Sequence, residues 1–240
     1  AEFGVLIHSA MEAFKADNAK ADNLQVGRIS AVLAKHLEAI AAKRLGSTPS
    51  PALRNQVAAA AERMAWLAEV EAGISQEWET VAVEATLPEL DIGGFTLHGR
   101  FDRLDRHRTE RHRWRVYDYK TYDEIKDNDP KSRHVKDLEH PSAKGRPGFE
   151  FQVDGKSYCW EELQLPVYYH NLRNAYGDHI KEDHKLEVGY IILPSEGTAQ
   201  ALIWEDYAEK FSEHGTAAIK SAVARLLSED VRLLAHWQFV

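Results

Sequence analysis

The apolar residues of this chain change their period at about residue 77, and that change limits the folds open to it. Before it the spacing is helical. Val5, Ile7, His8, Met11 and Phe14 fall on one helix face. Residues 23–27 (NLQVG) interrupt the pattern, a second helix runs over 29–45, and Gly46 supplies a stop. Residues 47–51 (STPSP) link and cap an alanine-rich helix over 51–72, with Met64, Trp66, Leu67 and Val70 apolar and Gly73 closing it. Beyond residue 77 the pattern alternates. Trp78, Val81, Val83 and Ala85 predict a strand over 77–87. Residues 91–94 (DIGG) signal a hairpin turn, 95–105 alternates again, 106–113 is a polar turn, and 114–120 is a third strand. Three antiparallel strands in a meander follow.

The remainder adds helices and strands by turns. Residues 122–148 are polar, carry Pro130, Pro141 and Pro147, and form a loop of a length that is usually functional or disordered. Its Lys126, Lys131, Arg133, Lys136, Lys144 and Arg146 suit either a guide for single-stranded DNA or a surface insertion. Asp154-Gly155 centres a short hairpin over 149–160, and 161–176 is helical with Leu163, Val167 and Leu172 inward. Residues 186–193 read as a strand buried on both faces, 197–204 as an edge strand, and 207–227 as a last amphipathic helix. The expected architecture is α/β: a mixed central sheet flanked by helices. A helical region over 1–76 precedes a core over 77–240, with a polar insertion at about 122–148.

At 240 residues, 44% hydrophobic and 28% charged, the chain can bury a real core as one large domain. A single cysteine, Cys159, excludes an intrachain disulfide framework and any all-cysteine metal site, and fits a reducing compartment. No apolar run is long enough to span a membrane. The first residues lack a secretion signal and start almost directly in a helix, so a fragment of a longer polypeptide is expected. The net charge of −8 argues against a general nucleic-acid binder. Even so, seven arginines (Arg100, Arg103, Arg106, Arg108, Arg111, Arg113 and Arg115) crowd the meander. They form either an edge that holds a polyanion or a solvated hairpin tip.

Residues 99–121 read GRFDRLDRHRTERHRWRVYDYKT. Asp102 and Asp118 fall on adjacent strands, and Lys120 shares the parity of Asp118. Phosphodiester hydrolysis needs on the order of 20 kcal/mol removed from its barrier, and hard cations held by carboxylates and carbonyls do much of that. Asp102 and Asp118 can share one ion, with the backbone carbonyl of Tyr119 as a third oxygen. Lys120 then orients the attacking water or stabilises charge on phosphorus. Asp105 has the opposite parity to Asp102 and is expected to pair with nearby arginines. Glu77, Glu79 and Glu84 are expected on an exposed strand face, and His107, His112, His134, His140, His179 and His184 are scattered in polar context. Zinc-hydrolase, P-loop and nucleophilic-serine motifs are absent.

The composite GRFDRLD…VYDYKT resembles the PD-(D/E)XK nucleases, specifically the RecB-like branch found in RecBCD and AddAB helicase–nucleases. Residues 4–14 (GVLIHSAMEAF) resemble the branch's first helix, and 162–168 (ELQLPVY) its Gln-x-x-x-Tyr helix. The resemblance implies a restriction-endonuclease-like core and Mg²⁺ or Mn²⁺ held by His8, Asp102 and Asp118. It implies Lys120 as the lysine of the motif, with Gln164 and Tyr168, and Arg100 and Arg103 beside Asp102, contacting DNA or bracing the site. It also implies a DNA exonuclease acting on single strands as a module of a recombination or repair helicase–nuclease, in a bacterial cytoplasm near the nucleoid. Four cysteines around an iron–sulfur cluster, present in many relatives, are lacking, so no cluster is expected. The competing expectation is an inactive nuclease-fold domain that binds DNA or acts as a scaffold.

Overall fold

The computed structural model describes residues 2–18, 25–46, 50–87, 89–121, 129–139, 144–176 and 179–228. Three helices come first: α1 (Glu2–Asn18), α2 (Val26–Leu45) and α3 (Pro51–Glu77). The Ser50 hydroxyl accepts the Leu53 N–H and Pro51 takes the first helical position, so the expected linker does cap α3. The strands follow: β1 (Trp78–Thr86), β2 (Leu90–Ile92), β3 (Phe95–Leu97), β4 (Arg100–His107) and β5 (Arg113–Lys120). Next come α4 (Lys131–His134), β6 (Val135–Asp137), β7 (Glu150–Val153), β8 (Lys156–Trp160) and α5 (Gln164–Ala175). The chain closes with β9 (Lys185–Ile192), β10 (Gln200–Trp204), a π-helical turn (Tyr207–Phe211) and α6 (Ser212–Leu227).

The main sheet has five strands in the order β1-β4-β5-β9-β10. β1, β4 and β5 form the expected antiparallel meander, β9 joins β5 in parallel, and β10 closes the edge antiparallel to β9. The fold is α/β, with helices before and around a mixed sheet. β9 approaches β10 closely at Gly189, where a Cβ would lie 2.2 Å from the Leu202 carbonyl oxygen, so only glycine fits there.

Side-chain parity on the central strands separates two cores. Trp114 and Val116 of β5 and Leu186, Val188 and Tyr190 of β9 pack with α5 and α6, through residues such as Leu172 and Ile219. Tyr117 and Tyr119 of β5, with Ile191 and Leu193, pack with α1–α3, through Leu6, Phe14, Leu33 and Leu67. Asp118 and Lys120 share the parity of Trp114 and Val116, which aims them at the α5 side.

Three expectations change. Helix α3 does not stop at Gly73 but runs through it to Glu77. Residues 95–105 do not form one strand: β2 and β3 make a separate hairpin, and β1 bypasses it to pair with β4 up to Thr86–Arg100. The cause is the Gly93-Gly94 turn, closed by the Gly94 N–H on Asp91 Oδ1, which returns the chain after only three residues. The polar insertion is also not wholly irregular. Residues 122–128 and 140–143, which include Lys126, His140 and Pro141, lie outside the described residues, but α4 and β6 form between them. β6 pairs with β8 to give a three-stranded sheet in the order β6-β8-β7. Among the described residues no helix is long and apolar enough to cross a membrane.

Candidate metal centre

The two motif aspartates meet where β4 begins and β5 ends. The pairs Arg103–Tyr117 and Leu104–Val116 set the register, and one further step sets Asp102 across from Asp118. Asp102 Oδ2 accepts the Tyr119 N–H at 2.7 Å. On the other side of β4, Glu84 falls between the pairs Val83–Arg103 and Ala85–Phe101, which sets it across from Asp102 as well. Glu84 has φ of 44°, a left-handed conformation that costs a non-glycine residue about 1 kcal/mol or more. The β1 ladder also shifts register between Thr80 and Ala82.

His8 arrives from α1. Its Nδ1 lies 3.0 Å from Glu84 Oε1 and 3.8 Å from Asp102 Oδ2, and its ring meets Tyr119 edge-on at 5.8 Å. His8, Glu84 and Asp102 each offer one ligand atom, and these atoms lie within 4.8 Å of one another. Arg100 pairs with the second oxygen of Glu84 at 2.7 Å while its side chain stays 59% exposed, so it faces solvent at the rim of the cluster.

Asp118 is held from the α5 side. Gln164 Nε2 donates to its Oδ1, and the Tyr168 hydroxyl lies 3.5 Å from the same oxygen. Gln164 and Tyr168, four residues apart on one helix face, also bond to each other at 3.0 Å. Lys120 Nζ stands 3.0 Å from Asp118 Oδ2, donates to Gln164 Oε1 at 2.5 Å and lies 3.5 Å from Glu162. Asp118 Oδ2 is buried without an aligned hydrogen-bond donor, despite its ion pair with Lys120.

The electrostatics follow from this crowding. Burial, then the charge of Asp118, pushes the Asp102 carboxyl up to about 8, against the pull of His8 and the Tyr119 N–H. Asp118 is also raised, chiefly by burial, with Lys120 opposing. Burial works to lower His8, but the hydrogen bond to Glu84 and the charges of Asp102, Glu84 and Asp118 outweigh it, so the imidazole is raised. Burial and the nearby carboxylates hold the Tyr168 hydroxyl protonated. The cluster crowds Asp102, Glu84 and Asp118 together, and one buried oxygen of Asp118 has only the Lys120 ion pair for company. Carboxylate oxygens with one imidazole fit a hard divalent cation such as Mg²⁺ or Mn²⁺.

Several sequence-based expectations shift. Glu84 is not on an exposed face: its side chain is 6% exposed and points at His8. Tyr119 meets the site through its N–H on Asp102, a contact that the expected role of its carbonyl did not foresee. Arg103 is buried and bonds Glu71 at 2.5 Å and Asp105 at 2.8 Å, so it faces no DNA. Asp105 pairs with an arginine, as its parity implied. The arginine-rich turn lies at the far end of the hairpin, five residues or about 17 Å of strand beyond Asp102. There Arg106 and Arg111 share Glu79, Arg113 holds Glu110, Arg115 holds Glu187, and Arg108 donates to the Ser75 carbonyl. A rim of free cations is therefore not what that turn provides. His134 is buried rather than set in polar surroundings.

The chain matches the model of the PD-(D/E)XK nuclease superfamily over residues 1–237, and it belongs to that superfamily. Membership implies a metal-dependent phosphodiesterase whose substrate is nucleic acid and whose cofactor is a divalent metal. A search of curated proteins finds no match.

Proposed function

We propose that this domain is a Mg²⁺- or Mn²⁺-dependent deoxyribonuclease of the RecB-like type. The single observation that carries the reading is the convergence of His8, Glu84 and Asp102 within 4.8 Å, next to an Asp118–Lys120 ion pair. His8, Asp102 and Asp118 hold the cation, and Glu84 joins them as a ligand or as the partner that orients His8. The cation, when bound, supplies positive charge to the scissile phosphate and lowers the pKa of a water. Lys120 is the group that touches the reacting phosphate. Its ammonium, fixed by Asp118 and Gln164, stabilises charge growing on phosphorus or holds the attacking water in line. Gln164 links Lys120 to Asp118 by bonding both, and the neutral Tyr168 hydroxyl braces that amide. Arg100, exposed at the rim, meets a phosphate of the DNA.

The motif order His8, Asp102, Asp118–Lys120, Gln164–Tyr168 supports placing the chain in the recombination or repair helicase–nucleases. In that setting it removes nucleotides from single-stranded DNA ends, beside a helicase region of the same polypeptide or complex, in the bacterial cytoplasm. The chain has one cysteine, so no iron–sulfur cluster is assigned to it. The test is cleavage of linear and circular single-stranded DNA with Mn²⁺. Linear strands should be digested and circles spared. If Asp118→Ala and Lys120→Ala cut as fast as the parent chain, the site is wrong; if circles are cut equally, the exonuclease assignment is.

A further inference from the structure

His134 lies outside the motif residues, in the stretch that reads from sequence as a polar insertion. It is fully buried, at the junction of α4 and β6. Its Nδ1 lies 2.9 Å from the Glu162 carbonyl oxygen, and its Nε2 meets the Tyr190 hydroxyl. A carbonyl only accepts, so Nδ1 carries the hydrogen and Nε2 accepts the Tyr190 O–H. Burial pushes the imidazole down to about 4, which keeps it neutral near pH 7 and preserves this one tautomer. Its backbone carbonyl also accepts the N–H groups of Glu161 at 2.8 Å and Glu162 at 3.4 Å.

The two partners of that imidazole flank Lys120. The Glu162 carboxylate lies 3.5 Å from Lys120 Nζ, and the Tyr190 ring centroid lies 5.5 Å from it. Tyr190 is also the β9 residue in register with Asp118. Glu162 stands two residues before Gln164, the first residue of α5 and an acceptor for Lys120. One neutral imidazole thus ties the approach to α5 to β9, and Lys120 sits between them. We propose that His134 is a positioning residue for Lys120. Through Tyr190 and the 161–163 segment it fixes where the ammonium stands relative to Asp118. The proposal rests on the role given to Lys120 above, and it assigns to the inserted α4–β6 segment a part in the reaction.

The test is a double-mutant cycle on single-stranded DNA with saturating Mn²⁺, measured under single-turnover conditions with KM obtained separately. Tyr190→Phe keeps the ring under Lys120 and removes only the hydroxyl; His134→Asn keeps a donor for Glu162 and removes the acceptor for Tyr190. Each is expected to lower the cleavage rate about tenfold, as for residues that orient a site group, with KM and calorimetric Mn²⁺ affinity unchanged. In a Lys120→Ala background the same substitutions should cost less than twofold, because the group they position is gone. Equal losses in both backgrounds, or losses confined to KM or Mn²⁺ affinity, overturn the proposal. Should His134→Asn not fold, Tyr190→Phe completes the cycle alone. If Lys120→Ala cleaves like the parent, the reading of Lys120 fails first and takes this one with it; if only the coupling is missing, this one fails and that reading stands.

Discussion

β4 carries two buried acidic clusters three residues apart, and they are built on opposite plans. Asp105 and Glu71 face a cation: Arg103, fully buried, bonds Glu71 Oε1 at 2.5 Å and Asp105 Oδ1 at 2.8 Å, and its Nη2 lies 2.8 Å from Asp105 Oδ2 as an ion pair. Burial works against the Arg103 guanidinium, but the two carboxylates outweigh it and hold it charged. Asp102 instead faces Asp118 and Glu84, and its carboxyl is pushed up to about 8. Parity explains how one strand serves both. Arg103 faces Tyr117 and the α1–α3 core, whereas Asp102 is set across from Asp118. The Asp105 cluster is closed by one buried arginine whose loss would strand it, whereas the more open one has Lys120, His8 and Arg100 only at its edges and its facing carboxylates are eased by protons or a bound cation.

The contrast is tested most severely by removing one member of each cluster. Asp118→Asn is expected to reduce cleavage on the order of 10³-fold, with a melting temperature close to the parent's, because the repulsion relieved at Asp102 offsets the ion pair lost at Lys120. Arg103→Ala is expected to behave in the opposite way. It strands two buried carboxylates and should cost about 3–5 kcal/mol of stability, read from urea unfolding. The comparison breaks if Asp118→Asn unfolds the protein or if Arg103→Ala leaves stability unchanged. Mn²⁺ sharpens it. At one hundred times its dissociation constant it should add about 2.7 kcal/mol to the stability of the parent. It should add far less to Asp102→Asn, as read by thermal shift.

How far the sequence reveals each cluster depends on what sets it. Asp102, Asp118 and Lys120 are readable because period two on two neighbouring strands fixes which side chains face one another. Asp105 follows from the same parity. Glu84 is hidden because its inward turn depends on a φ of 44° in a strand with an irregular ladder, and alternation alone assigns it to solvent. The arginine turn misleads for a related reason: beside the local Glu110, the carboxylates that neutralise it, Glu79 and Glu187, come from strands distant in sequence. His134 is hidden because β6 forms only by pairing with β8, and nothing local in a proline- and lysine-bearing stretch announces a buried histidine. The helices and the antiparallel meander are legible because period and turn residues are local signals; the parallel pairing of β9 with β5 is not, because it joins strands distant in sequence. The splitting of 95–105 is not either, because β1 chooses its partner across the β2–β3 hairpin.

The test that separates the clusters without mutation is the dependence of stability on pH. The folded-state pKa of Asp102, about 8, lies above the ordinary carboxylate value of 3.8. The folded protein therefore keeps a proton that the unfolded chain has already released. A raised pKa of this kind contributes stability that is complete below about 3.8 and is lost as pH climbs through 8. Asp118 and His8 are raised too and act with the same sign. Metal-free protein should thus melt at a lower temperature as pH rises from 5.5 to 8.5. Saturating Mn²⁺ displaces those protons, so it should flatten the slope and release protons measurable by calorimetry in buffers of different ionisation enthalpy. Asp102→Asn should flatten the metal-free slope in part. A steep slope that survives Asp102→Asn would move the titrating charge away from the open cluster and undo the distinction between the two.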